Sequence, residues 1–252
     1  MIMLNYFRAD IRRIFGNKSH AFSMILLFVI FFAALSVPNR TQQVTSVSLV
    51  ASACGLLDWL FTFIGLFEMI AVFSEDFKVK TMQVAIGMGI TRMQVIFCKL
   101  MEVMFLVVLD CIVLTLIVLG IGASMGLVIP AIVLKDLLLT LLIKGVIRLA
   151  INTALTMIVL FVTQSTVLSI FIYVMVGYDI VAILLQLGAA FGFNWIETFK
   201  LSRLTINYCA GLLHSRLVLG QFSVQAFLAL CAYFGIGLFG TCKLFGKQEL
   251  DF

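Results

Sequence analysis

The sequence predicts an all-α integral membrane protein, and three observations support this fold class. Apolar residues make up 63% of the 252 residues and charged residues only 12%, whereas soluble domains are about half apolar and about a quarter charged. The mean hydropathy is +1.20. The apolar residues form long continuous runs, which favour membrane helices over the short alternating segments of a β-barrel. We therefore expect a single transmembrane domain over residues 1–252.

Six apolar runs are long enough, or nearly so, to cross a membrane. A spanning helix needs roughly 20 apolar residues, because the hydrocarbon core is about 30 Å thick and a helix rises about 1.5 Å per residue. The predicted spans cover residues 20–37, 49–73, 100–121, 137–162, 166–190 and 223–242.

The segments at the two sides of these spans differ in charge and character. Lys and Arg are more frequent in the connecting segments that lie on the same membrane side as the N terminus. Because cytoplasmic loops carry the excess of these residues, both termini are predicted to be cytoplasmic in a bacterial cell membrane. Residues 1–18 have an apolar stripe with arginines between, which predicts an amphipathic helix on the inner membrane surface or, alternatively, a cap packed on the bundle. Residues 191–222 are too apolar for a free loop, and we expect an outer re-entrant segment of one or two short helices.

Charged residues inside the predicted spans are candidates for a functional site, because each costs several kcal/mol near the bilayer centre unless it is paired or hydrated. Lys144 and Arg148 are four residues apart and therefore share one helix face. One interpretation is that carboxylates pair with them and fix the helix register. The other is that this set lines a translocation route for a charged or amphipathic cargo. The set comprises Asp58, Asp110, Lys144, Arg148 and Asp179.

The cytoplasmic connection between the second and third spans, residues 74–99, has charges at both ends of an apolar stretch. An ordered apolar element of this kind is typical of a surface that another protein covers. An inner-leaflet helix without a partner is the alternative.

The same connection carries a resemblance to a known family. Glu75, the Lys80–Thr81 step, Gly87 and Gly89, Arg92 and Lys99 resemble the first cytoplasmic loop of permease subunits of type-two ABC exporters. The order of a basic interfacial helix, six spans and an outer re-entrant segment resembles that family over essentially the whole chain. The resemblance implies a coupling helix at about residues 78–92 that docks on a separate ATP-hydrolysing subunit. The residues expected to serve this coupling are Glu75, Asp76, Lys80, Thr81, Arg92 and Lys99.

The chain itself carries no ATP site by sequence, and we do not expect it to be an enzyme. The phosphate-binding loop of ATPases requires G-x-x-x-x-G-K-S/T, whereas the single Gly-Lys pair, Gly246–Lys247, is followed by Gln248. ATP and Mg²⁺ are therefore expected on the partner subunit, with no cofactor bound directly. The six cysteines lack metal-ligand spacing, and nucleic acid is not an expected partner.

The function predicted from these features is ATP-driven export of a hydrophobic or amphipathic cargo by a pair of permeases, either two copies or two related chains. The resemblance suggests peptide toxins, bacteriocins or antibiotics as cargo. Two alternatives stay open. One is a secondary transporter driven by an ion gradient, and the other is a membrane immunity or scaffold protein that binds a toxic peptide.

Overall fold

The computed structural model describes residues 2–39, 44–79, 81–191 and 201–247, and these residues form helices without any β-strand. The helices are α1 (Ile2–Gly16), α2 (Lys18–Asn39), α3 (Ser46–Val79), α4 (Thr81–Gly87), α5 (Arg92–Ser124), α6 (Ala131–Thr140), a π-helical segment (Leu141–Ile147), α7 (Arg148–Thr163), α8 (Thr166–Gly177), α9 (Ile180–Ala190), a 3₁₀ turn (Leu201–Leu204), α10 (Ile206–Val218) and α11 (Val224–Lys247).

Among the described residues, five helical segments are long and apolar enough to cross a membrane: α2, α3, α5, the continuous α6–α7 segment and α11. A sixth span exists if α8 and α9 are counted together, but they are bent by 60° at a short break. The predicted span 166–190 is therefore not one straight helix. The chain turns at Asp179, whose φ of 54° is left-handed and cannot continue an α-helix.

The helix α1 packs on α5, α2 and α3. Ile14 is buried in this contact, and the ring of Phe7 lies edge-on to Phe105 of α5 with centroids 6.0 Å apart. Leu4 and Phe15 remain exposed. The predicted amphipathic helix is present, and it has both an apolar face against the bundle and apolar side chains directed away from it.

The long helix α3 is central, since it packs on α2, α5, α6 and α8. The contact between α7 and α11 is the most extensive one among the described helices, and Gly237 lies there against the backbone of Ala154. Small residues that allow two helix backbones to meet are the usual way in which membrane helices associate. Within the segment 191–222, for which one or two short helices were predicted, the structure describes the 3₁₀ turn and α10, and α10 packs on α6, α7 and α11.

Candidate functional site

A polar cavity of about 280 Å³ lies between α3, the π-helical segment, α7, the end of α8 and α10. We call it the polar cavity. Its lining residues are Asp58, Trp59, Lys144, Arg148, Gly177, Tyr178, Asn207, Ala210 and Gly211.

The polar cavity lies close to the middle of the bundle. Arg148 is near the centre of the Ala131–Thr163 span, roughly 20–25 Å from either end at about 1.5 Å per residue. The residues just before it, Leu141–Ile147, form the π-helical segment that carries Lys144. Segments of π-helix inside α-helices often occur at functional sites. The two cations are thus held at a depth where lipid alone could not solvate them.

Asp58 of α3 faces both cations. Its carboxylate lies 2.7 Å from Lys144 Nζ but 3.9 Å from Arg148 Nη1. Arg148 instead donates hydrogen bonds to the backbone carbonyl of Asp58, at 3.0 Å, and to the side-chain oxygen of Asn207, at 3.3 Å. Lys144 therefore has a close counter-ion, whereas the Arg148 guanidinium has mainly neutral partners.

The break between α8 and α9 opens at this cavity. The carbonyl of Gly177, at the end of α8, accepts hydrogen bonds from the Asn207 side chain at 3.2 Å and from the Thr62 hydroxyl at 3.5 Å. The backbone carbonyl of Asp179 accepts a hydrogen bond from the Ala182 N–H at 2.8 Å, and the Asp179 side chain lies close to the side chain of Thr205. These contacts satisfy backbone groups that the broken helix leaves free, which is how non-helical backbone is tolerated inside a membrane protein.

Four of the five predicted route residues lie in or near the polar cavity, and Asp110 does not. Asp110 is buried on α5 beside Glu68 of α3, and Glu68 in turn is hydrogen-bonded to His20 of α2 at 2.9 Å. The expectation that Asp110 could neutralise Lys144 and Arg148 is therefore wrong, because its side chain is directed toward α2 and α3. Asp179 acts on Arg148 electrostatically, although its hydrogen bonds are to other groups.

A second set of charges lies near the C-terminal end of α3 and the N-terminal end of α5, where α1 packs. Lys99 of α5 is fully buried and forms ion pairs with Asp10 of α1, Asp76 of α3 and Glu102, the last at 3.1 Å. Arg13 of α1 also pairs with Asp76, at 2.8 Å. We call these five residues the buried charge cluster. Burial beside it raises the pKa of the Tyr6 hydroxyl above its usual range.

The buried charge cluster corrects part of the coupling prediction. Asp76 and Lys99 were expected to place charges around a docking element, but both side chains are inaccessible. Arg92 is engaged inside the chain as well: it donates to the carbonyls of Phe245, at 2.7 Å, and Gly246, at the end of α11. These three residues tie helices together. Lys80 lies outside the described residues, as do the side chains of Glu75 and Thr81.

The apolar part of the predicted coupling segment forms α4 and the turn that follows it. Met82, Ala85 and Ile90 pack inward, whereas Val84 and Met88 are 55% and 71% exposed. Gly89 has a φ of 95°, which glycine adopts without strain. Thr91 and Gln94 then form a capping box that fixes the start of α5. We call the face with Val84 and Met88 the α4 surface.

Several site residues have weak or no sequence signals. Glu102 is three residues after Lys99, and this helical spacing indicates an ion pair. Asp10 and Arg13 have the same spacing in α1. Asn207 and Thr62 have no signal of this kind, because only the folded chain brings them to the end of α8.

No family model matches the chain, and no curated protein matches it. The fold and the sites of the described residues define a class: an all-α membrane chain with five or six possible spans, a polar cavity between its helices and a short helix between two long spans.

Proposed function

We propose that the chain is the permease subunit of an ATP-driven ABC exporter, with α1 and α4 on the cytoplasmic side. The observation that carries this proposal is the α4 surface. A seven-residue helix with exposed apolar side chains stands between two of the longest helices, at the end where α1 packs. An exposed apolar element that packs on both α3 and α5 suits docking on a partner.

The contacts around α4 suit the transmission of force. The buried charge cluster joins α1, α3 and α5, and Arg92 joins α5 to the end of α11. A push on α4 would therefore move several helices together. The helix α3 continues without a break from Val79 to Asp58, a distance of roughly 30 Å at about 1.5 Å per residue. It thereby links the α4 surface mechanically to the polar cavity.

In this proposal ATP and Mg²⁺ bind to the partner ATPase subunit, and two permease chains together enclose the path. The polar cavity supplies one polar binding position along a path that is otherwise lined by apolar side chains. This combination suits a hydrophobic or amphipathic cargo, such as a peptide toxin, a bacteriocin or an antibiotic.

The test is a co-purification from native membranes in mild detergent. We expect a nucleotide-binding subunit and ATPase activity to accompany the wild-type chain. The double variant Val84→Glu/Met88→Glu should lose both, because charge replaces the exposed apolar side chains without disturbing the core. The matched control is Val128→Glu, since Val128 is 85% exposed in the turn between α5 and α6, far from α4. A wild-type preparation without any ATPase subunit would overturn the proposal. So would an ATPase subunit that co-purifies equally with Val84→Glu/Met88→Glu and with the control Val128→Glu.

One observation favours a second candidate, a secondary transporter driven by an ion gradient. Such proteins often bind substrate beside broken helices near mid-membrane, and the α8–α9 break lies at the polar cavity. Broken helices were not evident from the sequence. Cargo transport in sealed vesicles that requires an ion gradient but no ATP would support this candidate over the exporter.

A further inference from the structure

We propose that the polar cavity binds the carboxylate group of an amphipathic molecule, with Arg148 as its principal anchor and Lys144 as a second cation. The identification of that molecule as the transported cargo rests on the proposed function. The binding itself does not, because it requires neither ATP nor a partner subunit.

The first support is the charge of the cavity. Lys144 and Arg148 face it together, and Asp58 is the carboxylate within ion-pair distance of either cation among the described residues. Asp58 lies at contact distance from Lys144 alone. A buried charge that lacks a close counter-ion is costly, and the side chain of Arg148 is only 6% exposed. Asp179 acts on Arg148 electrostatically but forms no ion pair with it among the described residues. The cavity therefore offers a ligand anion a position at contact distance from the Arg148 guanidinium.

The second support is the unused hydrogen-bonding capacity of Arg148. Its Nε has no hydrogen-bond partner within the part of the chain that the structure describes, and its bond to Asn207 is long, at 3.3 Å. A guanidinium group has five donors in a planar fork that matches the two oxygens of a carboxylate. A ligand carboxylate would complete this set.

The third support is the shape and depth of the cavity. Its volume suits a carboxylate with a short stretch of chain, and its rim includes the aromatic pair Trp59 and Tyr178, with centroids 5.6 Å apart. Space remains at Gly211, where an added Cβ would meet nothing within 4 Å. Lipid phosphates lie at the membrane surface rather than at mid-depth. The occupant is therefore a carboxylate on an amphiphile that enters the bundle, and not a lipid headgroup.

The experiment uses Trp59 as a reporter. The chain has two tryptophans, so the Trp195→Phe background leaves Trp59 alone at the rim of the cavity. The full chain is placed in phosphatidylcholine nanodiscs without ATP. It is titrated with 11-(dansylamino)undecanoic acid and, separately, with the primary amide of that acid. Energy transfer from Trp59 to the dansyl group measures binding near the cavity.

We expect the acid to bind at least about tenfold more tightly than the amide, the ratio for one charge-assisted pair of hydrogen bonds. Arg148→Gln should remove this preference. Gly211→Leu, which fills the cavity without touching its charges, should weaken both ligands. Arg216→Gln is the matched control, because Arg216 lies on the same helix as Gly211 but is exposed and bound to Gln221. Its preference should equal that of the background.

Equal binding of acid and amide to the background protein would overturn the proposal. So would an acid preference that survives in Arg148→Gln, or an unchanged affinity of Gly211→Leu for both ligands. If Arg148→Gln fails to fold, the other two variants provide the test. An unchanged affinity of Gly211→Leu for both ligands, together with an unchanged acid preference of Lys144→Gln, would then overturn the proposal. Displacement of the acid by a soluble short-chain phosphatidic acid, but not by unlabelled undecanoic acid, would show that the site takes a lipid phosphate, and would also overturn the proposal. None of these results depends on an ATPase, so failure here is separate from failure of the proposed function.

Discussion

Replacing Lys99 with Met is expected to destabilise the bundle strongly, because it removes a central cation of the buried charge cluster. Lys99 is fully buried and contacts three carboxylates, those of Asp10, Asp76 and Glu102. Without it, Arg13 would still pair with Asp10 and Asp76, but Glu102 would lose its ion pair. The Met side chain fills a similar volume, so the effect reports charge rather than packing.

The size of the effect follows from the ion-pair geometry. At the 3.1 Å separation of Lys99 and Glu102, one pair gains about 5 kcal/mol at an effective dielectric constant of about 20. The desolvation of Lys99 offsets part of this gain in the wild-type protein. Loss of one partner from a buried ion pair typically costs about 3–5 kcal/mol. For a chain of this size each kcal/mol shifts Tm by about 2–4 °C, so we expect Tm to fall by roughly 10 °C.

The assay is thermal unfolding of the detergent-solubilised chain, followed by intrinsic fluorescence. Lys135→Met is the control, since Lys135 is exposed on α6, and it should shift Tm little. Adding Glu102→Gln to Lys99→Met restores the original difference between cations and carboxylates, and it should recover part of the loss. A Tm for Lys99→Met equal to that of Lys135→Met would refute the reasoning. So would a double variant that is less stable than the single one.

Two further predictions concern close helix packing, and the same unfolding assay checks both. Gly237→Ala should destabilise the protein because the new Cβ would lie 2.8 Å from a backbone atom of Ala154, whereas Gly235→Ala, with open space around it, should not; equal effects would contradict this interpretation of the α7–α11 contact. Gly65→Ala should also destabilise, since its Cβ would collide with the Tyr173 hydroxyl. Adding Tyr173→Phe should recover part of that loss. A Tm of the double variant equal to that of Gly65→Ala alone would point to a different cause.

The spans could be predicted because burial in lipid acts on whole runs of about 20 residues. The α2, α3, α5 and α11 helices lie where the hydropathy of the sequence places them. The helix α3 nevertheless continues beyond the predicted 49–73 to Val79, since hydropathy detects only the apolar part of a helix. The break at Asp179 was missed for a related reason. An average over many apolar residues conceals one polar residue whose backbone is left-handed.

The charged sites could be predicted only where sequence spacing fixes geometry. The spacing of Lys144 and Arg148 places them on one face, and both do reach Asp58. Nothing in the spacing of Asp76 and Lys99 could show that α1 covers them with Asp10, because this depends on how α1 packs on α3 and α5. Asn207 reaches Arg148 for the same kind of reason, through the position of α10.

The two charged sites differ in a way that bears on what each can do. In the buried charge cluster, carboxylates outnumber cations and Lys99 is inaccessible, so its partners cannot be exchanged without unfolding part of the bundle. In the polar cavity, cations outnumber the carboxylate that contacts them, and the side chain of Asp58 is 37% exposed. A ligand anion can bind beside Arg148 while Asp58 keeps its close contact with Lys144, so neither cation loses its counter-ion. The first site therefore suits a fixed joint between helices, and the second suits reversible binding. The unbroken helix α3 carries Asp76 of the buried charge cluster and Asp58 of the polar cavity. We therefore expect a displacement of α3 at the cluster to move Asp58 as well.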